Sequence, residues 1–131
     1  MSTLSLEGVL KCGLGEGAGF VALDWVSRQL ADKLGFDPFP GTLNLALQGG
    51  EWDAMRDALQ AAPGIAIDPP PGFCAAKCFR VTIDDRIEGA AILPEIDDYP
   101  RDKLELVAPV GVRSALALGD GDTVTLTLHL E

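Results

Sequence analysis

Thr42 and Asn44, one residue apart, are the side chains whose types and spacing best suit chemistry. They follow a bend written Gly35-Phe36-Asp37-Pro38-Phe39-Pro40-Gly41. In a strand, the period of two places the hydroxyl and the amide on one face and turns Leu43 and Leu45 to the other. Two neutral oxygen donors at the mouth of a rigid turn suit a hard cation or a phosphate. The same two groups also suit turn capping, the ordinary use of polar residues beside Pro and Gly.

A second candidate is the run Gly13-Leu14-Gly15-Glu16-Gly17-Ala18-Gly19, with glycine at every second position. Such a run lets backbone amides approach a phosphate, and serves equally as a structural bend. Gly13, Gly15 and Ala18 match a variant of the dinucleotide fingerprint, but that fingerprint needs a helix directly after it and repeating βαβ units. Residues 20–23 read as a strand and no such units follow, so a Rossmann site is excluded. A Walker A loop is excluded because the chain contains no Gly-Lys-Ser/Thr.

Glu105 lies between Leu104 and Leu106, so alternation turns it away from the apolar face, where a solvated strand residue is the default. Arg113 follows Pro109 at the start of a helical turn and can meet a phosphate or a surface carboxylate. His129 alternates with leucines and reads as a surface strand residue. With one histidine in the chain, neither a Ser-His-Asp nor a Cys-His arrangement can be argued. Carboxylates are abundant, so any one pair is weak evidence for acid–base work.

The 131 residues, with a formal charge of −10 and 47% hydrophobic content, fit a single domain over 1–131 with a real core. That charge disfavours nucleic acid and anionic membrane as partners, since both call for clustered Lys and Arg. An anionic small ligand stays open, because a metal ion or backbone amides can supply a local positive field. Cys12, Cys74 and Cys78 form a poor zinc pattern and read as reduced thiols of a cytoplasmic protein. The first residues lack the pattern of a signal peptide, and no window has the length of a membrane span.

The elements that must position these residues follow from periodicity. Residues 4–12 and 20–23 read as strands. Asp24 is the expected N-cap of a helix with Val26, Leu30 and Leu34 on one face and Gly35 as its stop. A second helix is predicted over 51–62, with Trp52, Met55 and Leu59 inward. Residues 68–72 form an extended linker. Phe79, Val81 and Ile83 alternate up to an Asp84-Asp85 turn, and 87–93 return as the second arm of a hairpin. Residues 94–101 form an acidic loop, 103–107 a strand, 112–118 a short helical turn, and 123–130 a strand of unbroken alternation. The fold class is therefore mainly β with inserted α, in a small closed barrel of about six strands, since closure removes exposed edges.

Taken in order, these segments resemble a known family. Gly13-Leu14-Gly15-Glu16-Gly17, then Leu34-Gly35-Phe36-x-Pro38-Phe39-x-Gly41-Thr42-Leu43-Asn44-Leu45, resembles the archaeal-type CTP-dependent riboflavin kinases. So do Ile87-x-Gly89-Ala90-x-Ile92-x-Pro94, Leu104-Glu105-x-x-Ala108-Pro109-x-x-x-Arg113 and Asp120-Gly121-Asp122-x-Val124, and together the blocks cover nearly the whole chain. The Gly-Thr-Leu-Asn block is the specific one. The resemblance implies a six-stranded cradle-loop (RIFT-like) barrel with two or three short helices. It implies transfer of the CTP γ-phosphoryl to the riboflavin 5′-hydroxyl, giving FMN and CDP. It further implies Mg2+ at Thr42 and Asn44, nucleotide at Gly13, Leu14, Gly15, Glu16, Gly17 and Arg113, and flavin at Glu105 and Asp97. Glu105 and Asp97 are the candidates for an acid–base role. The chain departs from the family pattern at Ala18 and Gly19, where a basic residue and an aromatic are usual, and at Asp97, where a threonine is usual. A flavin- or nucleotide-binding module of the same fold without catalysis is the alternative.

Overall fold

Alternating apolar residues make strand the commonest regular element among the described residues. The computed structural model describes residues 3–11, 24–39, 43–47, 49–72, 75–95, 102–119 and 121–129. The elements are β1 (Thr3–Lys11), α1 (Asp24–Leu34), β2 (Leu43–Ala46), α2 (Gly50–Ala61), β3 (Ile65–Ile67), β4 (Ala76–Ile83), β5 (Ile87–Pro94), β6 (Lys103–Val107), α3 (Val112–Ala115) and β7 (Thr123–His129). The strands lie in the order β3-β4-β5-β6-β2-β1-β7, and β7 also pairs with β4. That last pairing closes six antiparallel strands into a barrel and leaves β3 as an appendage on β4. The expected mainly β barrel is the observed one, with three short helices among the described residues.

The barrel interior collects one parity of every strand: Leu10, Leu43, Leu45, Phe79, Val81, Ile83, Ala91, Leu104, Leu106, Val124, Leu126 and Leu128. Trp52, Met55 and Leu59 of α2 and Val112 of α3 join this core. Lys77 stretches over the Phe79 ring and donates to the carbonyls of Gln60 and Ala62, at 2.8 and 2.6 Å, fixing the C-terminal end of α2.

Part of the opposite parity of β4, β5 and β6 is also apolar. Ala76, Cys78, Ala90, Ile92 and Val107 lie beneath Val26, Leu30 and Leu34 of α1. Polar contacts seat the helix. Gln29 Nε2 donates to the Asp68 carbonyl and Lys33 Nζ to that of Ala66, while Arg80 donates to the carbonyls of Lys33 and Leu34. Gly35 ends α1 with φ +84°, its amide donating to Ala31, as a left-handed helix stop requires.

The helix bounds agree with the sequence reading to within a residue for α1 and α2. The third helical segment is shorter than predicted, ending at Ala115. The three-residue strand β3 was not predicted. Its alternation is too short to register, and it lies between Gly64 and the prolines at 69–71. The predicted strand at 20–23 lies outside the described residues.

Burial beneath α1 has a chemical consequence at Cys78. Desolvation pushes its thiol from 9.0 up to about 11, although Lys33 and Arg80 pull the other way. The unfolded thiol ionises first, so the stability this group contributes is complete below pH 9 and is lost as pH rises through about 11. Urea midpoints for the wild type are expected to fall more steeply between pH 9 and 11 than those of Cys78→Ala, which lacks the titrating group.

Candidate active site

The strand register assembles the site. On β2, Leu43 and Leu45 point into the barrel, so Asn44 faces outward and is half-buried. Its partner across the β2–β6 ladder is Glu105, and its partner across the β1–β2 ladder is Lys11. Directly opposed residues carry Cβ atoms about 5 Å apart, so Asn44 and Glu105 are side-by-side neighbours on one face. The row continues from Glu105 to Ile92 and Cys78, which lie under α1. The Asn44–Glu105 pair is therefore the polar end of a row whose other end is buried beneath a helix.

Glu105 corrects the sequence reading in one respect. It points away from the interior as alternation requires, but it is only 9% exposed and is not a solvated strand residue. Alternation reports which face a residue takes, not whether that face is covered. Lys103, two residues earlier on the same face, approaches Glu105 with Nζ 3.5 Å from Oε1. Lys103 was not singled out from sequence; the signal available was its i, i+2 spacing from Glu105.

Three stretches that carry expected site residues lie outside the described residues. The chain exits β1 at Lys11, opposite Asn44, and is next described at Asp24, the start of α1. Gly13, Leu14, Gly15, Glu16 and Gly17, with Ala18 and Gly19, lie outside the described residues, as does Thr42. The flanks of Thr42 are held, since the Phe39 amide donates to the Ala108 carbonyl at 2.7 Å and Leu43 begins β2. Asp97 also lies outside the described residues, in a connection that rejoins the sheet at Lys103.

Arg113 is half-buried on α3 and is not part of the Asn44–Glu105 row. The Phe39 ring lies across Gly111, 3.2 Å from where a β-carbon would stand, so the bend before Thr42 rests on the segment leading to Arg113. His129 faces outward and pairs with Thr82 at 3.2 Å, as expected of a surface strand residue. It lines a cleft of about 600 Å³ at the foot of α1, together with Phe36, Arg80 and Glu88; Asn44, Glu105 and Arg113 do not line it.

The donors fit a hard cation in type: a carboxamide oxygen and a neighbouring carboxylate. Among the described residues no group of three His, Cys, Asp or Glu could hold a metal by itself. A cation here would need further oxygen ligands from Thr42, water or a phosphate substrate. Also among the described residues, no helix is long and apolar enough to cross a membrane.

Fold and site together define a closed antiparallel barrel that carries the Asn44–Glu105 pair on its outer face. The family model for CTP-dependent riboflavin kinase, described as a domain of unknown function (DUF120), matches residues 10–128. The chain belongs to this family. It is 39% identical over 137 residues to a riboflavin kinase of Pyrobaculum arsenaticum, covering 99% of this chain and 63% of that protein. A riboflavin kinase of Pyrobaculum calidifontis is 41% identical, with 99% and 62% covered, and one of Methanosarcina barkeri 39% identical, with 98% and 58% covered. The chain thus spans about three fifths of the length of these curated relatives.

Proposed function

We propose that this chain is a CTP-dependent riboflavin 5′-phosphotransferase. The observation that carries the reading is the β2–β6 register, which sets Asn44 beside Glu105. In the family pattern the first belongs to the metal and the second to the flavin, so adjacency brings donor phosphate and acceptor hydroxyl to one place. Membership of the family and the identity to archaeal riboflavin kinases support the choice of substrates.

The chemistry asks mainly for positioning and charge neutralisation. The riboflavin 5′-oxygen forms a bond to the γ-phosphorus as the bond to the β,γ-bridging oxygen breaks, and CDP leaves. Asn44 Oδ1 and the Thr42 hydroxyl would hold Mg2+, a cation that keeps several waters and takes its anionic ligands from substrate phosphates. When bound, Mg2+ neutralises charge on the transferring phosphoryl group. Glu105 orients the flavin by accepting hydrogen bonds, with Asp97 facing the same substrate, and either carboxylate can take the hydroxyl proton. The glycine run 13–17 cradles the triphosphate with backbone amides, and Arg113 supplies a fixed cation to it.

Residues 1–131 then act as one catalytic domain. A buried free thiol at Cys78 and the charge of −10 support a cytoplasmic setting with small-molecule partners rather than nucleic acid or membrane. The test is incubation with Mg2+, riboflavin and each of CTP, ATP, GTP and UTP, with chromatography of the flavin. FMN is expected with CTP. Ala18, Gly19 and Asp97 favour the second reading, a binding module, which is the outcome if riboflavin raises the melting temperature but no triphosphate yields FMN.

A further inference from the structure

We propose that Lys103 is a positioning residue that acts through Glu105 to set the affinity for the acceptor substrate. This inference rests on the reading of Glu105 as the acceptor contact.

Lys103 and Glu105 share the outward face of β6, and their cross-strand partners on β2 are Ala46 and Asn44. The Lys103 side chain is 29% exposed, that of Glu105 12%, and the two are 3.5 Å apart at Nζ and Oε1. A carboxylate this enclosed, one ladder position from the expected phosphate and metal ligand, faces two competing pulls. Phosphate oxygens repel it, and a bound cation draws it toward Asn44. Either pull turns it away from a neutral hydroxyl or imide donor on a flavin.

Lys103 opposes both. Its ammonium offsets the carboxylate charge toward incoming phosphates and lies 3.5 Å from Oε1. Lys103 stands opposite Ala46 and Glu105 opposite Asn44, so the ammonium meets the carboxylate from the next position on the same face. Ala46, the residue facing Lys103 across the ladder, is small and offers no competing polar group.

The consequence is a selective loss. Lys103→Met keeps the stem and removes the charge. It is expected to weaken riboflavin binding about tenfold, read as the dissociation constant from flavin fluorescence quenching and as KM for riboflavin. KM for CTP is expected to stay within about twofold. Lys103→Arg is expected to restore riboflavin affinity to within about threefold of wild type. Because the pair is partly exposed, the melting temperature of Lys103→Met is expected to stay within about 3 °C of wild type.

A double variant separates action through Glu105 from a general electrostatic effect. In a Glu105→Gln background, Lys103→Met is expected to cost nothing further in riboflavin affinity. A tenfold loss that persists in that background, an equal rise in both KM values, or unchanged riboflavin affinity in Lys103→Met overturns the proposal. Wild-type protein that fails to quench riboflavin fluorescence removes the acceptor reading itself. Wild-type binding with an unaffected Lys103→Met variant removes only the role of Lys103.

Discussion

Asn44→Ala is expected to lower kcat/KM for FMN formation by about 10²–10³-fold, equivalent to about 3–4 kcal/mol of transition-state stabilisation. The side chain is half-buried and faces outward, so the barrel core loses nothing when it is shortened. Leu43 and Leu45 on either side keep their places in that core, and the β2–β6 register is maintained by backbone bonds. The expected melting temperature is therefore close to wild type, and the loss belongs to chemistry rather than folding. Raising Mg2+ tenfold is expected to recover part of the lost rate in Asn44→Ala, because one ligand of several has been removed. Steady-state kinetics at two Mg2+ concentrations, beside a thermal melt, checks both statements. A variant with wild-type kcat/KM would take Asn44 out of the site.

Gly89→Ala is expected to have the largest effect on stability. A β-carbon at Gly89 would stand 2.2 Å from the Val107 carbonyl oxygen and 3.3 Å from Ala108 Cβ. Real β-carbons do not approach backbone oxygen so closely, and the obstacle is main chain in a closed barrel, which cannot step aside as a flexible side chain can. Relief requires β5 to separate from β6 beside the Ala90–Val107 pair. That breaks ladder bonds and loosens the seat of α1 on Ala90 and Val107. The expected cost is about 3 kcal/mol or more, or a fall of roughly 10 °C in melting temperature for a domain of this size. A denaturant titration measures it, and a change below about 1 kcal/mol would show that the two strands are not held as closely as described. Glu105 lies two residues before Val107 on β6, so surviving folded Gly89→Ala protein is expected to bind riboflavin poorly as well.

These two residues also show what could be read from the chain and what could not. The outward placement of Asn44 follows from alternation in Thr42-Leu43-Asn44-Leu45, because strand geometry turns successive side chains to opposite faces. The closed barrel followed from short alternating strands, and α1 and α2 from apolar spacing with stops at Gly35 and Pro63. The adjacency of Asn44 and Glu105 was not legible, because β2 and β6 meet only through the order of strands around the barrel. Nor was the burial of Glu105, since alternation assigns a residue its face and not the cover over that face. A clue was present in Gly89-Ala90-Ala91-Ile92-Leu93, apolar at every position, as a strand covered on both faces must be. Gly89 belonged to a recognisable block, but its physical reason, contact with the Val107 carbonyl, appears only in three dimensions.

Donor phosphate and acceptor hydroxyl are expected to meet at the Asn44–Glu105 pair. Phosphorus resonance measurement tests it most directly, on protein saturated with CDP and FMN and with Mn2+ in place of Mg2+. If the metal sits at Asn44 and the flavin phosphate beside Glu105, one ladder position away, the FMN phosphorus signal is expected to broaden beyond detection in wild type. In Asn44→Ala it is expected to broaden less than in wild type at the same Mn2+ concentration. An FMN phosphorus signal that stays sharp in wild type with all three ligands bound would contradict the account.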